Sequence, residues 1–490
     1  MIEKIRNDYL GWFGIGRNKT LLEIYETEKL LISDYDSIRI TDLALVTETY
    51  DYILLSNCMR LLSGFFESDS CDRFLEGIKK HLKNEGHVLF VVQNRIGLKY
   101  LAGFPDKTKE FSFLESSMKI KKQNLFSKNE LERLIKQHFL NSRFFYFYPD
   151  YRNVKEVFND NTINSINYSS INNPIDNNIV TLFDEKNVNE VLMKNEVSDI
   201  FANAFFVDAS NGKIENSGDY YKISDNRSAA YSIITEINLN DNRVYKYSCN
   251  QEGKSHLNQI AVNSRKSILK TLEYTYSENE ERVSAELLKG KTLKDVLDQY
   301  IEEMDFDSFQ EKIFDFKKWI SVKTYKHTYV ENEEYERVFG TNYIKKQIDY
   351  TDGINIDILF DNVFVNDGWI IIDPEWIFDF PIPIDFVLFR SLNNFYFSSD
   401  IKRYYSLGEY LNHFGLSDEE ISVFKKMDNH FIYNYIGTKK IDYKANNIVD
   451  LQRIYQDSLD AYRLHEIEKS TSWRITKPIR ILKDLIKNEK

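Results

Sequence analysis

Hydrophobic and polar positions change period along the chain, and the changes divide it. In the first 150 residues short apolar runs alternate with helical stripes. Thr49 to Ser56 is an apolar run entered through Asp51, and Cys71 to Lys83 carries Phe74, Leu75, Ile78 and Leu82 at helical spacing. Glu85-Gly86 ends that helix, and His87 to Val92 is a continuous apolar run of the kind buried on both faces of a sheet. Ser127-Lys128-Asn129-Glu130 has capping-box spacing ahead of Leu131, Leu134 and Ile135, and Arg143 to Tyr148 is a further aromatic strand. Strands alternating with helices predict a parallel, doubly wound α/β sheet.

Periodicity then fails. Between Asn159 and Asn178 eight of twenty residues are Asn, a composition that supplies no packed face, which predicts a linker or long surface loop over 158–179. Order resumes near Val180. Phe201 to Val207, Tyr231 to Ile234 and Arg243 to Tyr247 predict strands, Ser255 to Leu272 a helix, and Arg282 to Leu288 another strand. Beyond Leu293 the pattern is helical, interrupted by the strand pair Asn362–Val365 and Trp369–Ile372. Strands first and helical mass second is an α+β order.

Composition narrows the class. Lys and Arg total 64 against 76 Asp and Glu, a net charge of −12, so no basic face for nucleic acid is expected. Three cysteines without a CxxC pair exclude a disulfide framework and a Cys-rich zinc site. Met1 to Asp8 has no apolar core of signal-peptide length, and no uncharged apolar run reaches the roughly 18 residues of a membrane span. A cytoplasmic, multidomain protein is expected.

The densest chemistry lies between Asn355 and Trp376. Asp357 and Asn362 are five apart, and a predicted hairpin separates Asn362 from Asp373. Phosphoryl transfer needs a carboxylate near the attacking hydroxyl, plus an amide oxygen and a second carboxylate for magnesium on the nucleotide phosphates. In isolation the same residues also make an Asx-rich turn between buried strands. Upstream stand Lys246 on a predicted strand, Glu252 near a helix start, and Val283 to Leu293, where a strand, a Gly290 turn and a helix start follow one another.

That order, covering roughly Val180 to Ser458, resembles the protein-kinase-like fold in its aminoglycoside- and choline-kinase-like branch. The resemblance implies ATP and Mg as cofactors. Lys246 would meet the α/β-phosphates and be held by Glu252, while the backbone of Ala285, Glu286 and Leu287 would meet the adenine edge. Asp357 would be the base toward the acceptor hydroxyl, and Asn362 and Asp373 would bind magnesium. The glycine-rich loop of the family is replaced by Ser224 to Ala230, so Arg227 or Ser228 would cover the phosphates. Asn355 stands where the family has His, and no Phe-Gly follows Asp373.

The N-terminal region offers a second resemblance. Asn94 to Gly103, Phe126 to Leu131 and Tyr148 to Tyr151 are similar to the later half of class I S-adenosylmethionine methyltransferases. The match extends to methyltransferase domains fused to kinase-like domains in bacterial surface-polysaccharide assembly, including kinase–methyltransferases that cap an O-antigen chain. Asp373-x-Glu375-Trp376 and Ser472 to Arg480 fit the same group. It implies a saccharide or glycan acceptor and a glycosyltransferase partner. Leu21 to Glu28, where a glycine turn would meet the methyl donor, contains no Gly, so a degenerate domain is expected and S-adenosylmethionine is not expected as its ligand. Gly11 to Gly16 reads as a plain turn, His256 as a packed side chain, and Trp376, Phe378, Phe380 and Phe386 as core.

The last twenty residues carry six basic residues against two acids, with Ile479, Leu482 and Ile486 at helical spacing. A helix from Lys477 to about Asn488 is expected, suited to a membrane's inner face or a partner protein, or simply solvated. The expected architecture is α/β plus α+β. A truncated Rossmann-like methyltransferase-type domain (1–157) and the Asn-rich linker (158–179) precede a bilobal kinase-like domain (180–458) and a basic amphipathic tail (459–490). The favoured function is ATP- and Mg-dependent phosphorylation of a hydroxyl; a methyltransferase and a non-catalytic scaffold are the alternatives.

Overall fold

The computed structural model describes residues 2–4, 10–16, 18–26, 29–31, 35–56, 69–103, 126–166, 180–183, 185–215, 218–329, 332–366, 368–439, 447–448, 451–470 and 473. Most of its strands join one twelve-stranded sheet. Asp36–Arg39, Leu21–Tyr25, Tyr50–Ser56 and Leu82–Gln93 run parallel and side by side. Ala204–Ser210 then pairs antiparallel with both Leu82–Gln93 and Asn141–Asp150, and Asn153–Asn159 follows as an antiparallel hairpin.

Burial explains the continuous apolar run. Val88, Phe90 and Val92 point to one face, where Asp69–Lys79 and Lys128–His138 supply Leu75, Ile78, Leu131 and Ile135. Leu89 and Val91 point to the other face, into Trp12, Phe13, Phe145, Phe147 and Phe206. A strand with no solvent face has no polar alternation. Trp12 meets the rings of Phe145, Phe206 and Tyr221, each with centroids 5.1 Å away. The segment expected to be a plain turn therefore seals this face, and its Gly14–Gly16 pairs with Ile2–Lys4. Ser127 and Glu130 form the expected capping box.

Three expectations need correction. The boundary near 180 falls too early, because Ala204–Ser210 lies inside the N-terminal sheet, between strands that sequence order keeps far apart. The linker begins as structure: Asn159 Nδ2 donates to Asp219 (2.7 Å) and Thr162 Oγ1 to the Asp219 carbonyl (2.6 Å), so the Asn-rich composition of this part supplies turn hydrogen bonds. Residues 167–179 lie outside the described residues. The two halves are also not separate sheets, since Tyr220–Ser224 pairs with Asn153–Asn159 and carries the sheet into Ile233–Asn238, Arg243–Ser248, Arg282–Glu286 and Thr275–Ser277.

Helix Lys254–Lys266 packs on this extension through Leu257, Ile260 and Ala261. The helical mass follows, with helices Leu293–Glu302, Phe306–Ile320, Ile384–Ser398 and Asp418–His430 around one large core. Trp376, Phe380 and Phe386 are buried in it as expected, and Phe378 is half-buried. Helix Leu451–Lys469 runs across the expected boundary at 458/459. The tail helix expected from Lys477 lies outside the described residues. Among the described residues, no helix is long and apolar enough to cross a membrane.

Candidate functional site

The hairpin Val363–Asn366 with Gly368–Ile371 returns the chain to where it left, because both strands are short and Gly368 takes a left-handed φ of 106° at the turn. Asn362 at one end and Asp373 beyond the other therefore lie together: the Ile372 N–H donates to the Asn362 carbonyl (3.0 Å). Asn362 Nδ2 donates to the Asp357 carbonyl (3.0 Å). Asn355 ties both sides. Its Nδ2 donates to the Asp373 carbonyl (2.7 Å), and its Oδ1 accepts from the Asp357 N–H (3.0 Å). Asp357, Asn362 and Asp373 share one edge.

Lys246 reaches the same edge from Arg243–Ser248. Its Nζ lies 2.6 Å from Asp373 Oδ1 and 5.7 Å from the centre of the Tyr274 ring. Burial alone would push the ammonium down, but the Asp373 carboxylate more than reverses this and holds it charged. This corrects the expected role of Glu252, which is exposed in the turn before the helix. A position six residues after Lys246 places it on that turn, before the helical face that meets the site.

The helix makes its link through residues further along. His256 Nε2 donates to Glu375 Oε1 (2.8 Å), and Asn263 Nδ2 donates to the Glu375 carbonyl (3.0 Å). Positions i and i+7 share a helix face, so one face grips both the carboxylate and the backbone of Glu375. Arg227 bonds the same Oε1, which corrects its expected place: in this state it sits on Glu375. Burial would raise Glu375, but Arg227, His256 and Lys246 hold its carboxyl well below the ordinary range.

Asp357 has a different environment. Its Oδ1 lies 3.1 Å from Arg390 NH1, and Arg390 is shared with Asp428, whose Oδ1 lies 2.8 Å from Nε. Burial outweighs this partner, and with Asp373 and Glu375 nearby the carboxyl is pushed up to about 6. A carboxyl near 6 is matched to accepting a proton at neutral pH. Arg390 gave no sequence signal beyond its helical position, because its pairing depends on how Ile384–Ser398 packs. Ala285 is buried in its strand, and Glu286 stands opposite Arg243 in the sheet register. The Leu287 N–H donates to the Asn242 carbonyl (3.0 Å). That donor is spent and does not face an adenine edge, which corrects the expected role of Leu287.

The oxygen donors suit a hard cation. Asn362 keeps its Oδ1 and Asp373 its Oδ2 outside the bonds just described. Two side-chain oxygens plus phosphates is how magnesium is commonly held. Among the described residues, no group of three His, Cys, Asp or Glu forms a protein-only metal cage.

No family model and no curated protein matches the chain. Among solved structures, an S-adenosylmethionine-dependent methyltransferase from Archaeoglobus fulgidus is similar at 10% identity and a TM-score of 0.23, over 39% of this chain and 86% of that one. A possible histamine N-methyltransferase from Thermotoga maritima is similar at 11% identity and a TM-score of 0.22, over 40% and 83%. A plantazolicin methyltransferase in complex with S-adenosylhomocysteine is similar at 12% identity and a TM-score of 0.21, over 40% and 76%. These comparisons correct the expectation against S-adenosylmethionine, since the similar structures are methyltransferases that depend on it or hold its product. The missing glycine turn is no ground for excluding the ligand. Within strand Leu21–Tyr25, Glu23 accepts from the Leu30 N–H (2.6 Å), the Leu31 N–H (3.2 Å) and Ser56 Oγ (2.5 Å), so its carboxylate ties this strand to Leu30 and Leu31 and to the end of the neighbouring strand.

Proposed function

We propose that the C-terminal half is an ATP- and magnesium-dependent phosphotransferase acting on a hydroxyl, with a saccharide or glycan end as acceptor. The observation that carries the reading is the convergence of Lys246, Asp357, Asn362 and Asp373 on one edge, with Lys246 already paired to Asp373. Asp357 takes the acceptor's proton, and Arg390 orients it. Asn362 and Asp373 hold the metal, which when bound neutralises phosphate charge. Lys246 orients the phosphates. The saccharide acceptor follows from the resemblance to surface-polysaccharide kinase–methyltransferases. Calorimetry of ATP with and without magnesium tests the reading, followed by phosphate transfer to a panel of saccharides. Absence of magnesium-dependent nucleotide binding sinks it and favours a scaffold.

A second reading concerns the N-terminal half, as an S-adenosylmethionine-binding domain. It is supported by the strand order, in which antiparallel Ala204–Ser210 is inserted between Leu82–Gln93, the last of four parallel strands, and Asn141–Asp150. Titration with S-adenosylmethionine and S-adenosylhomocysteine tests it; no heat at ligand concentrations up to a millimolar range removes it.

A further inference from the structure

Glu375 lies two residues beyond Asp373 and is 3% exposed, yet its carboxylate does not join Asn362 and Asp373 as a metal ligand. Oε1 is taken by Arg227 and by His256 Nε2. Three separate segments meet there: the loop before Ile233–Asn238, helix Lys254–Lys266, and the segment that carries Asp373. The loop is also held from behind, because the Ser228 N–H donates to the Ile436 carbonyl (3.0 Å) and the Lys439 N–H to the Asn226 carbonyl (2.9 Å). Gly437 makes this approach possible: φ is +72°, and a Cβ there would stand 3.2 Å from Ser228 Cβ. A loop fixed in this way places the Arg227 guanidinium within the fields of Asp373 and Asp357, which act on it after Glu375.

We propose that Glu375 is a positioning residue that parks Arg227 away from the metal-side carboxylates and holds it at the mouth of the phosphate site. The proposal rests on the phosphotransferase reading. The physical reason is competition. A guanidinium released from Glu375 turns to the next anions, Asp373 and Asp357, and a second cation on the Asp373 Oδ2 that Lys246 leaves open competes with magnesium for it. With Glu375 in place, Arg227 keeps one defined position from which it can meet an incoming triphosphate. Its rigid fork suits phosphate oxygens, and the loop has no glycine backbone to do that work.

The test is calorimetric binding of a non-hydrolysable ATP analogue to the full chain across a magnesium titration. Glu375→Gln is expected to raise the magnesium needed for half-maximal binding about tenfold, the lower end of the effect of losing a group that orients a metal ligand. Arg227→Met in the same chain is expected to restore the wild-type requirement, because the competing cation is gone. A purely structural role for Glu375 has no such rescue. Arg227→Met alone is expected to weaken analogue binding and leave the magnesium requirement unchanged. Should Glu375→Gln fail to fold, His256→Phe serves. It keeps a ring on Trp376, removes the hydrogen bond that anchors Glu375, and is expected to raise the requirement in the same direction. A Glu375→Gln protein that melts like wild type with an unchanged magnesium requirement overturns the proposal, as does an unchanged requirement in His256→Phe. Wild-type protein without magnesium-dependent binding instead overturns the phosphotransferase reading beneath it.

Discussion

Neutralising Asp357 separates a catalytic base from a structural counter-ion, because the two roles predict opposite changes in stability. The wild-type carboxyl is pushed from 3.8 to about 6, first by burial and then by Asp373 and Glu375, against the opposing pull of Arg390. The native state thus holds its proton to higher pH than the unfolded state does. It binds more protons between about pH 4 and pH 6, so stability falls as pH rises through that window. The distance from 3.8 to about 6 corresponds to about 3 kcal/mol. The side chain keeps a solvent-facing edge, 19% exposed, which screens part of this, so the cost of ionisation is about 2 kcal/mol. Asp357→Asn removes that cost while Asp428 still pairs with Arg390. The variant should be more stable than wild type by about 2 kcal/mol at pH 8, with the gain vanishing near pH 4. Given phosphotransfer, it should also lose roughly 10²–10⁴ in rate, as for loss of a general base. Paired denaturant titrations at pH 4 and pH 8 measure the difference. An Asp357→Asn chain less stable than wild type at pH 8 refutes the reasoning and makes Asp357 the counter-ion of Arg390.

Further outcomes follow from neighbouring contacts. Arg390 is the strongest pull lowering Asp357, so in Arg390→Met the acid limb of kcat/KM, near pH 6 in wild type, should move up by about one pH unit. In the N-terminal half Lys99 and Asp150 form a buried ion pair, and Asp150→Ala should cost about 3–5 kcal/mol in urea unfolding by stranding the ammonium. Adding Lys99→Met should recover most of that loss; no recovery means that Asp150 acts through its other contacts, with Arg152. Gly437→Ala should destabilise by about 1–2 kcal/mol, since an L side chain at φ +72° is strained and the methyl meets Ser228. Hydrogen exchange at Ser228 should rise in that variant, and unchanged protection would show that the loop is held elsewhere.

Local chemistry decided the elements and the order of the candidate site. Val88 to Val92 announces a strand buried on both faces because no position in it is polar, and Ser127 with Glu130 fixes a helix start through bonds made within four residues. The spacing of Asp357, Asn362 and Asp373 was enough to bring them together, because a hairpin of four-residue strands returns its two ends to one place. What the sequence could not determine depends on pairing between distant segments. Ala204–Ser210 has the same apolar pattern wherever it inserts, and only the gap between Leu82–Gln93 and Asn141–Asp150 places it in the first sheet. Likewise Lys246 had Glu252 as the nearby acid, but the partner was settled by the packing of helix Lys254–Lys266. That packing turns His256 and Asn263 toward Glu375 and leaves Asp373, 127 positions from Lys246, to hold the ammonium. Charge pairing over such separations costs nothing in chain geometry once the core has closed, so the tertiary structure, not the spacing, chose the partners.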